Sequence, residues 1–257
     1  MQTQLAAVII PTRNERETIA EIIPLVLQQQ DRMAFLDLEL LIVDGDSTDG
    51  TIEYVSELSR QDARIHLIVL GRRGLGLALM QAYEHAFNEL GADYVAQMDA
   101  DLSHAPSHLP ELFEALRAGY DLSIGSRYAP GGGTSGWPVS RRLQSLLANR
   151  FASLASGYGE VREWTSGYRA FSADLYRQLD FKAIGYHDYT IQPALVLEAL
   201  RSGARVREVP ITFVNRKWGK SKLPLFGYTF HLLKHFGTAR LRNPRRAGQP
   251  WPLRVPE

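Results

Sequence analysis

The sequence predicts an α/β fold in which a mostly parallel β-sheet is covered by helices on both faces. Two observations on the first half of the chain support this prediction. Short apolar runs are bounded by turn-forming residues, which is typical of buried strands, and segments with a helical pattern lie between consecutive runs. Strands that alternate with helices in this way form parallel sheets with two buried faces.

The elements follow from these patterns in chain order. Strands are expected where apolar side chains are concentrated, at residues 5–10, 38–43, 65–70, 94–98 and 122–125. Helices are expected between them, at residues 15–30, 52–60 and 77–90. Residues 129–138 are rich in Gly and Pro and are predicted to form a long loop. Beyond it we expect helices at 141–156 and 191–202, and a strand at 205–214 where apolar residues alternate.

Charge is unevenly distributed along the chain, although the net charge is only +1. Ten of the 29 Lys and Arg residues, but only one of the 28 acids, lie between Arg216 and the C terminus. A basic end on an acidic body is typical of a protein that binds a polyanion, either nucleic acid or a membrane surface.

Several classes of protein are excluded or disfavoured. Cysteine is absent, so there are no disulfides or thiolate metal sites. No apolar run approaches the ~20 residues that cross a bilayer. No basic leader precedes the first apolar segment, and a cytoplasmic protein is therefore expected.

Three clusters of polar residues follow predicted strands, at Pro11–Glu15, Asp44–Thr51 and Asp99–His104. Each cluster alone could be a turn followed by a helix cap. Ligands, however, bind at the carboxyl ends of strands in an open parallel sheet. Carboxylates gathered at one such edge repel each other unless a cation or ligand joins them. The sequence therefore predicts a binding site there.

Asp99 and Asp101 are the strongest signal within these clusters. Two carboxylates one residue apart at a strand end can both turn toward one hard cation. Mg²⁺ is usually held by one or two carboxylates, while substrate phosphates and water complete its octahedron. The pair is therefore expected to bind a nucleotide diphosphate through a divalent metal.

In combination, the motifs resemble the inverting family-two glycosyltransferases of GT-A fold, and within them the dolichol- and polyprenol-phosphate mannose synthase branch. The resemblance runs in order over about residues 5–225 and is specific as a combination. Beyond the three clusters it is carried by Gly74–Gly76, Gly125–Tyr128, Gly131–Gly133 with Gly136 and Trp137, Thr165–Arg169, Glu208–Pro210, and Arg216 with Gly219, Ser221 and Lys222.

This resemblance implies a role for each matching residue. Contacts with the base and ribose of the donor are implied for Pro11, Arg13, Glu15 and Asp44, with a less defined part for Asp46. Mg²⁺ or Mn²⁺ and the diphosphate would be held by Asp99 and Asp101, with Ala100 between them and Ser103 close by. Phosphate oxygens of donor or acceptor would meet Arg127, Arg216 and Lys222, which with Asp101 are the implied catalytic residues.

The activity implied is the metal-dependent, inverting transfer of mannose from GDP-mannose to a polyprenyl phosphate. An acceptor phosphate with a second pKa of about 6 is largely dianionic at neutral pH, so it can attack the sugar without a general base. The expected single domain spans residues 1–241, with 1–125 binding the nucleotide sugar and 126–241 facing the acceptor. Residues 242–257 form a basic tail that contains Pro.

Four departures from the family pattern bear on donor or acceptor specificity. Gly45 separates Asp44 from Asp46 where the family often has adjacent acids, and Glu163 stands where Asp is usual. Ala194 stands where an acid is common, and Ser103 where some relatives carry Gln.

Residues 223–241 combine Leu and Phe with basic residues and are consistent with an interfacial helix on anionic lipid. A terminal helix packed on its own core or on a partner explains the pattern equally well. The membrane alternative places the protein peripherally on the cytoplasmic face of a membrane.

Rival functions remain open at this stage. One is a polyprenyl-phosphate glucose synthase, or a synthase for another sugar, with a UDP-sugar donor. Another is an inactive nucleotide-binding subunit of a membrane complex. A dinucleotide dehydrogenase is disfavoured because the glycine-rich stretch Gly71–Gly76 follows the third strand, not the first. No nucleic-acid partner is expected, since no recognisable binding module is present.

Overall fold

A computed structural model describes residues 3–71, 74–184 and 190–215. Its strands are β1 (Gln4–Thr12), β2 (Leu36–Asp44), β3 (Ile65–Val69), β4 (Tyr94–Gln97), β5 (Leu122–Ser126), β6 (Gly133–Ser135), β7 (Arg169–Ser172), β8 (Val206–Pro210) and β9 (Thr212–Val214). Its α-helices are α1 (Arg16–Leu27), α2 (Thr51–Gln61), α3 (Leu75–Glu84), α4 (Leu109–Arg117), α5 (Val139–Ser156), α6 (Ala173–Gln178), α7 (Phe181–Ile184) and α8 (Ile191–Ser202).

Seven of these strands form one sheet in the order β3-β2-β1-β4-β7-β5-β8, and β6 and β9 form a separate two-stranded sheet. All neighbours in the large sheet are parallel except β7, which runs antiparallel to both β4 and β5. Helices cover both faces. The predicted fold class, a mostly parallel sheet flanked by helices, is confirmed.

The side chains of β1 show why the sheet is buried on both faces. Ala6, Val8 and Ile10 pack on one face, in a core that α1 and α4 complete. Ala7 and Ile9 point to the other face, where α3 and α8 cover them. Successive side chains of a strand point to opposite faces, so an unbroken apolar run fills two cores at once.

The structure departs from the predicted elements in the second half. The single strand predicted at 205–214 was wrong, because β8 ends at Pro210 and β9 pairs with β6 instead of the large sheet. The predicted loop at 129–138 contains β6. Helix α4 and strand β7 were not predicted. The segment 223–241 and the residues Arg216 and Lys222 lie outside the described residues.

Strand β7 determines what lies beside the carboxyl end of β4. Arg169, its first residue, pairs with Gln97 on one side and with Ile124 of β5 on the other. Because β7 is antiparallel, the residues that precede it lie at the edge where β1, β2 and β4 end. Residues 163–168 therefore join the predicted binding site.

None of the helices in the described part of the chain combines the length and apolar character needed to cross a membrane.

Candidate active site

Asp44, at the end of β2, lies buried at the bottom of the site. Its carboxylate accepts hydrogen bonds from the Ser47 amide at 2.7 Å, the Ser47 hydroxyl at 2.7 Å and the Thr12 hydroxyl at 3.0 Å. The side chain has no solvent exposure. Asp44 thus fixes the turn after β2 against the end of β1, and its predicted contact with the donor stays a prediction.

The loops after β1 and β2 are joined by further hydrogen bonds. The Asn14 amide donates to the Ser47 hydroxyl at 2.8 Å, and the Asn14 side chain accepts from the Thr48 amide at 2.9 Å. Asn14 has a φ of 54°, in the left-handed region that Asn tolerates better than most residues. The two loops therefore form one unit.

The other residues predicted to contact the donor lie on this unit. Pro11 and Glu15 are half-buried, and Arg13 and Asp46 are exposed. The Glu15 carboxylate accepts from the Thr18 hydroxyl at 3.1 Å, in the first turn of α1. These residues share one edge of the sheet, which is the arrangement that a nucleotide pocket requires.

The two metal-binding candidates, Asp99 and Asp101, occupy different environments. The Asp99 side chain is 41% exposed, whereas Asp101 is buried and accepts a hydrogen bond from the Ser103 amide at 3.0 Å. Leu102, which lies between Asp101 and Ser103, adopts a φ of 59°, and this backbone conformation allows the tight turn. The Ser103 hydroxyl is buried and has no hydrogen-bond partner among the described residues.

His104 supports this turn from below. The Asp99 amide donates to its Nδ1 at 3.1 Å, so the proton of the neutral ring is on Nε2. The ring stacks on Tyr168 at 4.9 Å and meets Phe213 edge-on at 5.1 Å. Burial lowers the pKa of His104 below its ordinary value, although the Asp99 and Asp101 carboxylates act in the opposite direction. Both carboxylates therefore lie near one buried, neutral imidazole.

Gly167 forms the wall beside Asp99. A Cβ added here would lie 3.2 Å from Asp99 Oδ1, 3.4 Å from Gln97 Nε2 and 3.6 Å from Gln192 Nε2. The side chains of Asp99, Gln97 and Gln192 thus all lie close to the backbone of Gly167. The Gln97 Nε2 atom is buried and has no hydrogen-bond partner among the described residues, while its Oε1 accepts from the Tyr83 hydroxyl.

Arg127, predicted to meet phosphate, forms a buried ion pair with Glu163. The Nε and Nη2 atoms of the guanidinium donate to the two Glu163 oxygens, each at 2.8 Å. The exposed fractions of the two side chains are 8% and 0%. Arg127 therefore holds the segment before β7 in place, and a direct contact with phosphate stays a prediction.

Glu163 also organises the chain that leads to Gly167. It accepts from the amides of Thr165 and Ser166 at 3.1 and 3.0 Å. Burial alone would raise the pKa of Glu163, but the charge of Arg127 and the hydrogen bonds from Arg127 and Thr165 outweigh it and lower the pKa. Glu163 is ionised at neutral pH.

The structure thus brings most of the predicted site residues to one edge of the sheet. Sequence reasoning did not assign roles to Gln97, His104, Gly167 and Gln192. A polar Gln97 at the end of an apolar strand was the available signal. The positions of the others depend on β7 and on pairing across long stretches of chain. Arg216 and Lys222 cannot be placed, because they lie beyond the described residues.

The chain is similar to one known protein family and to several individual proteins. Residues 7–180 match the model of the family described as Glycosyl transferase family 2. The polyprenol monophosphomannose synthase of Mycolicibacterium smegmatis is 38% identical over 223 residues, which cover 86% of this chain and 82% of that protein. The undecaprenyl-phosphate mannosyltransferase of Micrococcus luteus is 38% identical over 216 residues, covering 84% and 86%. The dolichol-phosphate mannosyltransferase of Pyrococcus furiosus is 33% identical over 234 residues, covering 89% and 62%.

Solved structures with the same fold include glucosyl-3-phosphoglycerate synthase from Mycobacterium tuberculosis. Its complex with Mn²⁺, UDP and glucosyl-3-phosphoglycerate superposes with a TM-score of 0.64 at 21% identity, over 93% of this chain and 80% of that one. Its complex with Mn²⁺ and UDP-glucose gives a TM-score of 0.65 at 21% identity, over 91% and 79%. At this level of identity the likeness establishes the fold, which is the predicted GT-A type.

Glu163→Gln is expected to lower the free energy of unfolding by about 3 kcal/mol or more, because it removes the negative charge that faces a buried guanidinium. Since the folded-state pKa of Glu163 is lowered, its stabilising effect is complete above the ordinary value of 4.5 and is lost as the pH falls through the folded-state pKa. Urea unfolding at several pH values should show a constant difference from the wild type above pH 4.5 that shrinks below it.

Glu114→Gln is the matched control, because Glu114 pairs with Arg117 on the surface and is 46% exposed. Loss of that pair should cost at most about 1 kcal/mol. Similar losses of stability in the two variants would contradict the claim that the buried Arg127–Glu163 pair stabilises the fold more than an exposed pair does.

Proposed function

Because this chain belongs to glycosyl transferase family 2, it is a glycosyltransferase, and we propose that it transfers mannose from GDP-mannose to a polyprenyl phosphate. The observation that carries the proposal is the pair of aspartates at the end of β4, one exposed and one buried, beside loops that can hold a nucleotide. The predicted enzyme class is confirmed by the family. The choice of sugar and acceptor is our inference.

Support for the acceptor and the sugar comes from the relatives. The three proteins at 33–38% identity are named for mannose synthesis or transfer with polyprenol, undecaprenyl phosphate and dolichol phosphate. All three names share a long-chain isoprenoid and mannose. The shared chemistry supports a polyprenyl phosphate as the acceptor of this chain.

The residues at the end of β4 fit a divalent cation, Mg²⁺ or Mn²⁺. In the described residues no group of three or more His, Cys, Asp or Glu side chains is arranged to hold a metal. Two carboxylates suit a cation whose remaining ligands come from the donor diphosphate, and so does the Ser103 hydroxyl, for which the described residues provide no hydrogen-bond partner. When bound, the cation would neutralise the charge that builds on the departing diphosphate.

Asp99 and Asp101 have separate tasks in this proposal. The exposed Asp99 is positioned to reach the ligand, whereas Asp101 is fixed by the Ser103 amide in the turn. His104 holds the backbone of Asp99 and is buried, so it acts as a support and not as a base. Arg127 and Glu163 keep Gly167 against Asp99. Arg216 and Lys222 are proposed to contact phosphate oxygens.

No general base is needed for the nucleophile. A polyprenyl phosphate carries nearly two negative charges at neutral pH, since its second pKa is about 6. Its oxygen attacks the anomeric carbon of the sugar while the bond from that carbon to the diphosphate breaks on the opposite face, which inverts the configuration. Positioning and charge stabilisation then supply the rate enhancement.

The UDP-sugar alternative has weaker support. The structures that contain UDP or UDP-glucose are 21% identical to this chain and bear on the fold alone. The inactive-subunit alternative has no support from the family, whose members include the mannosyltransferases above. We further propose a peripheral position on the cytoplasmic face of a membrane, where the lipid acceptor is reached.

Asp101→Asn is expected to reduce turnover by at least about 100-fold, because it removes a negative charge that helps to hold the cation on the diphosphate. The measurement is label transfer from GDP-mannose into lipid that organic solvent extracts, with and without EDTA. Asp174→Asn is the control, since Asp174 is 82% exposed on α6. Faster labelling from UDP-glucose, or full activity in EDTA, would contradict the proposal.

Gly167→Ala is expected to lower kcat by about tenfold or more, because the new methyl group would sit 3.2 Å from Asp99 Oδ1 and displace the carboxylate. Gly159→Ala is the matched control, since a Cβ at Gly159 would meet no atom within 4 Å. The measurement is kcat of both variants from steady-state kinetics. Equal rates for the two would mean that the position of Asp99 does not depend on Gly167.

A further inference from the structure

Glu208, in the middle of β8, is a half-buried carboxylate that the proposed mechanism does not use. Burial raises the pKa of Glu208 above its ordinary value, and the charge of Glu163 acts in the same direction. Among the described residues no Lys or Arg forms an ion pair with Glu208. A carboxylate held there without a cation needs hydrogen bonds to its oxygens.

The first group of hydrogen bonds comes from the segment that precedes β7. The Glu163 amide donates to Glu208 Oε1 at 2.7 Å, and the Arg162 amide donates to the same oxygen at 3.2 Å. Glu163 is also the partner of Arg127 in the buried ion pair. Glu208 therefore fixes the backbone of one member of that pair.

The same oxygen of Glu208 also holds the end of β5. The Ser126 hydroxyl donates to Glu208 Oε1 at 2.9 Å and accepts from the amides of Tyr128 and Ala129 at 3.1 and 3.0 Å. A serine side chain that accepts from amides two and three residues further on closes a tight turn. Arg127 lies inside this turn. The direction in which Arg127 leaves β5 thus depends on Ser126 and, through it, on Glu208.

Glu208 lines a cavity of about 520 Å³ that is distinct from the candidate active site. The walls of this cavity include Tyr120, Arg162 and Arg207, and they contain no residue from the loops after β1, β2 and β4. Any effect of Glu208 on the reaction must therefore act through the residues that it holds, and not through contact with the reacting atoms.

We propose that Glu208 is a positioning residue for the transfer reaction, because it fixes the spacing between the chain segments that carry Arg127 and Glu163. Through this pair it determines where Gly167 lies against Asp99. Glu208 acts as the acceptor of three hydrogen bonds, and its negative charge is not required. The inference rests on the proposed function for the reaction that is affected, but not for the contacts themselves.

The first experiment compares steady-state kinetics of two substitutions at position 208. Glu208→Ala is expected to lower kcat by about tenfold or more, and KM less, because both segments can shift and displace Asp99. Glu208→Gln keeps an oxygen acceptor in place, so its kcat should stay within about threefold of the wild type.

Arg207→Ala is the matched control for these variants, since Arg207 is an exposed neighbour on β8 that lines the same cavity. Its kcat should equal that of the wild type. A Glu208→Gln variant as slow as Glu208→Ala would show that the charge matters and would overturn the proposal. So would a Glu208→Ala variant as fast as Arg207→Ala.

A double variant tests the path from Glu208 to Asp99. Glu208→Ala and Gly167→Ala affect the same segment, so their combined loss of kcat should equal the larger of the two single losses. Losses that multiply would mean that Glu208 does not act through Gly167, and the proposal would then be wrong.

Hydrogen exchange of the full-length chain tests the contacts without any substrate. In Glu208→Ala the amides of Arg162 and Glu163 should exchange about tenfold or more faster than in the wild type, because they lose their acceptor. The amides of Ser47 and Thr48, in the loop after β2, are the internal control and should keep their rates. Unchanged exchange at Arg162 and Glu163 would overturn the proposal.

Ser126→Ala provides a second test if Glu208→Ala does not fold. The amides of Tyr128 and Ala129 should exchange faster in this variant, and kcat should fall by about threefold or more, because the turn around Arg127 loses its anchor. Wild-type values for both quantities would contradict the role assigned to Glu208.

The two kinds of measurement separate this inference from the proposed function. Faster exchange at Arg162 and Glu163 in a protein that transfers no mannose would remove the proposed function and leave the contacts of Glu208 standing. Transfer of mannose at the wild-type rate by Glu208→Ala would leave the function standing and remove the positioning role.

Discussion

The candidate active site depends on one buried ion pair, between Arg127 and Glu163. Glu163 has no exposure to solvent, so its charge must be satisfied by protein groups alone. Arg127 follows β5 and Glu163 precedes β7, and their pairing sets the path of the chain through Thr165 and Ser166 to Gly167. Gly167 then forms the wall against which Asp99 lies. The position of the exposed carboxylate thus follows from a contact between residues 36 apart in sequence.

Asp99 and Asp101 show how neighbouring carboxylates acquire different tasks from their surroundings. Asp101 is fixed in the turn by the Ser103 amide, while the Asp99 side chain is 41% exposed and its backbone amide donates to His104. The imidazole below them is uncharged, because its burial outweighs the attraction of both carboxylates. A protonated histidine would compete with a cation for the same oxygens. The neutral ring avoids that competition and leaves the negative potential available to ligands.

The sequence was informative wherever structure is local. The strands β1, β2 and β4 each contain a short apolar run, and the polar residues that follow these runs lie at one edge of the sheet, as expected. Strand β7 was missed because Arg169–Ser172 has no apolar run, and its place is determined by pairing with β4 and β5. The pairing of Arg127 with Glu163 could not be predicted either, because it also joins distant segments of the chain. The hydrogen bond from Thr12 to Asp44 is of the same kind. The exposure of four leucines on α5 could not be predicted either, because a leucine on a helix cannot be assigned to the core or to the surface until the packing is known.

Strand β7 also has a consequence for how the molecule is assembled. Until it inserts, the sheet consists of two separate pieces, β3-β2-β1-β4 and β5 with β8, each with an unsatisfied row of backbone amides and carbonyls. The central hydrogen bonds therefore form only after residue 172 has been synthesised, between segments distant in the chain. A nascent chain or fragment that stops before β7 also lacks β8, so it exposes the unpaired edges of β4 and β5, and such edges favour aggregation.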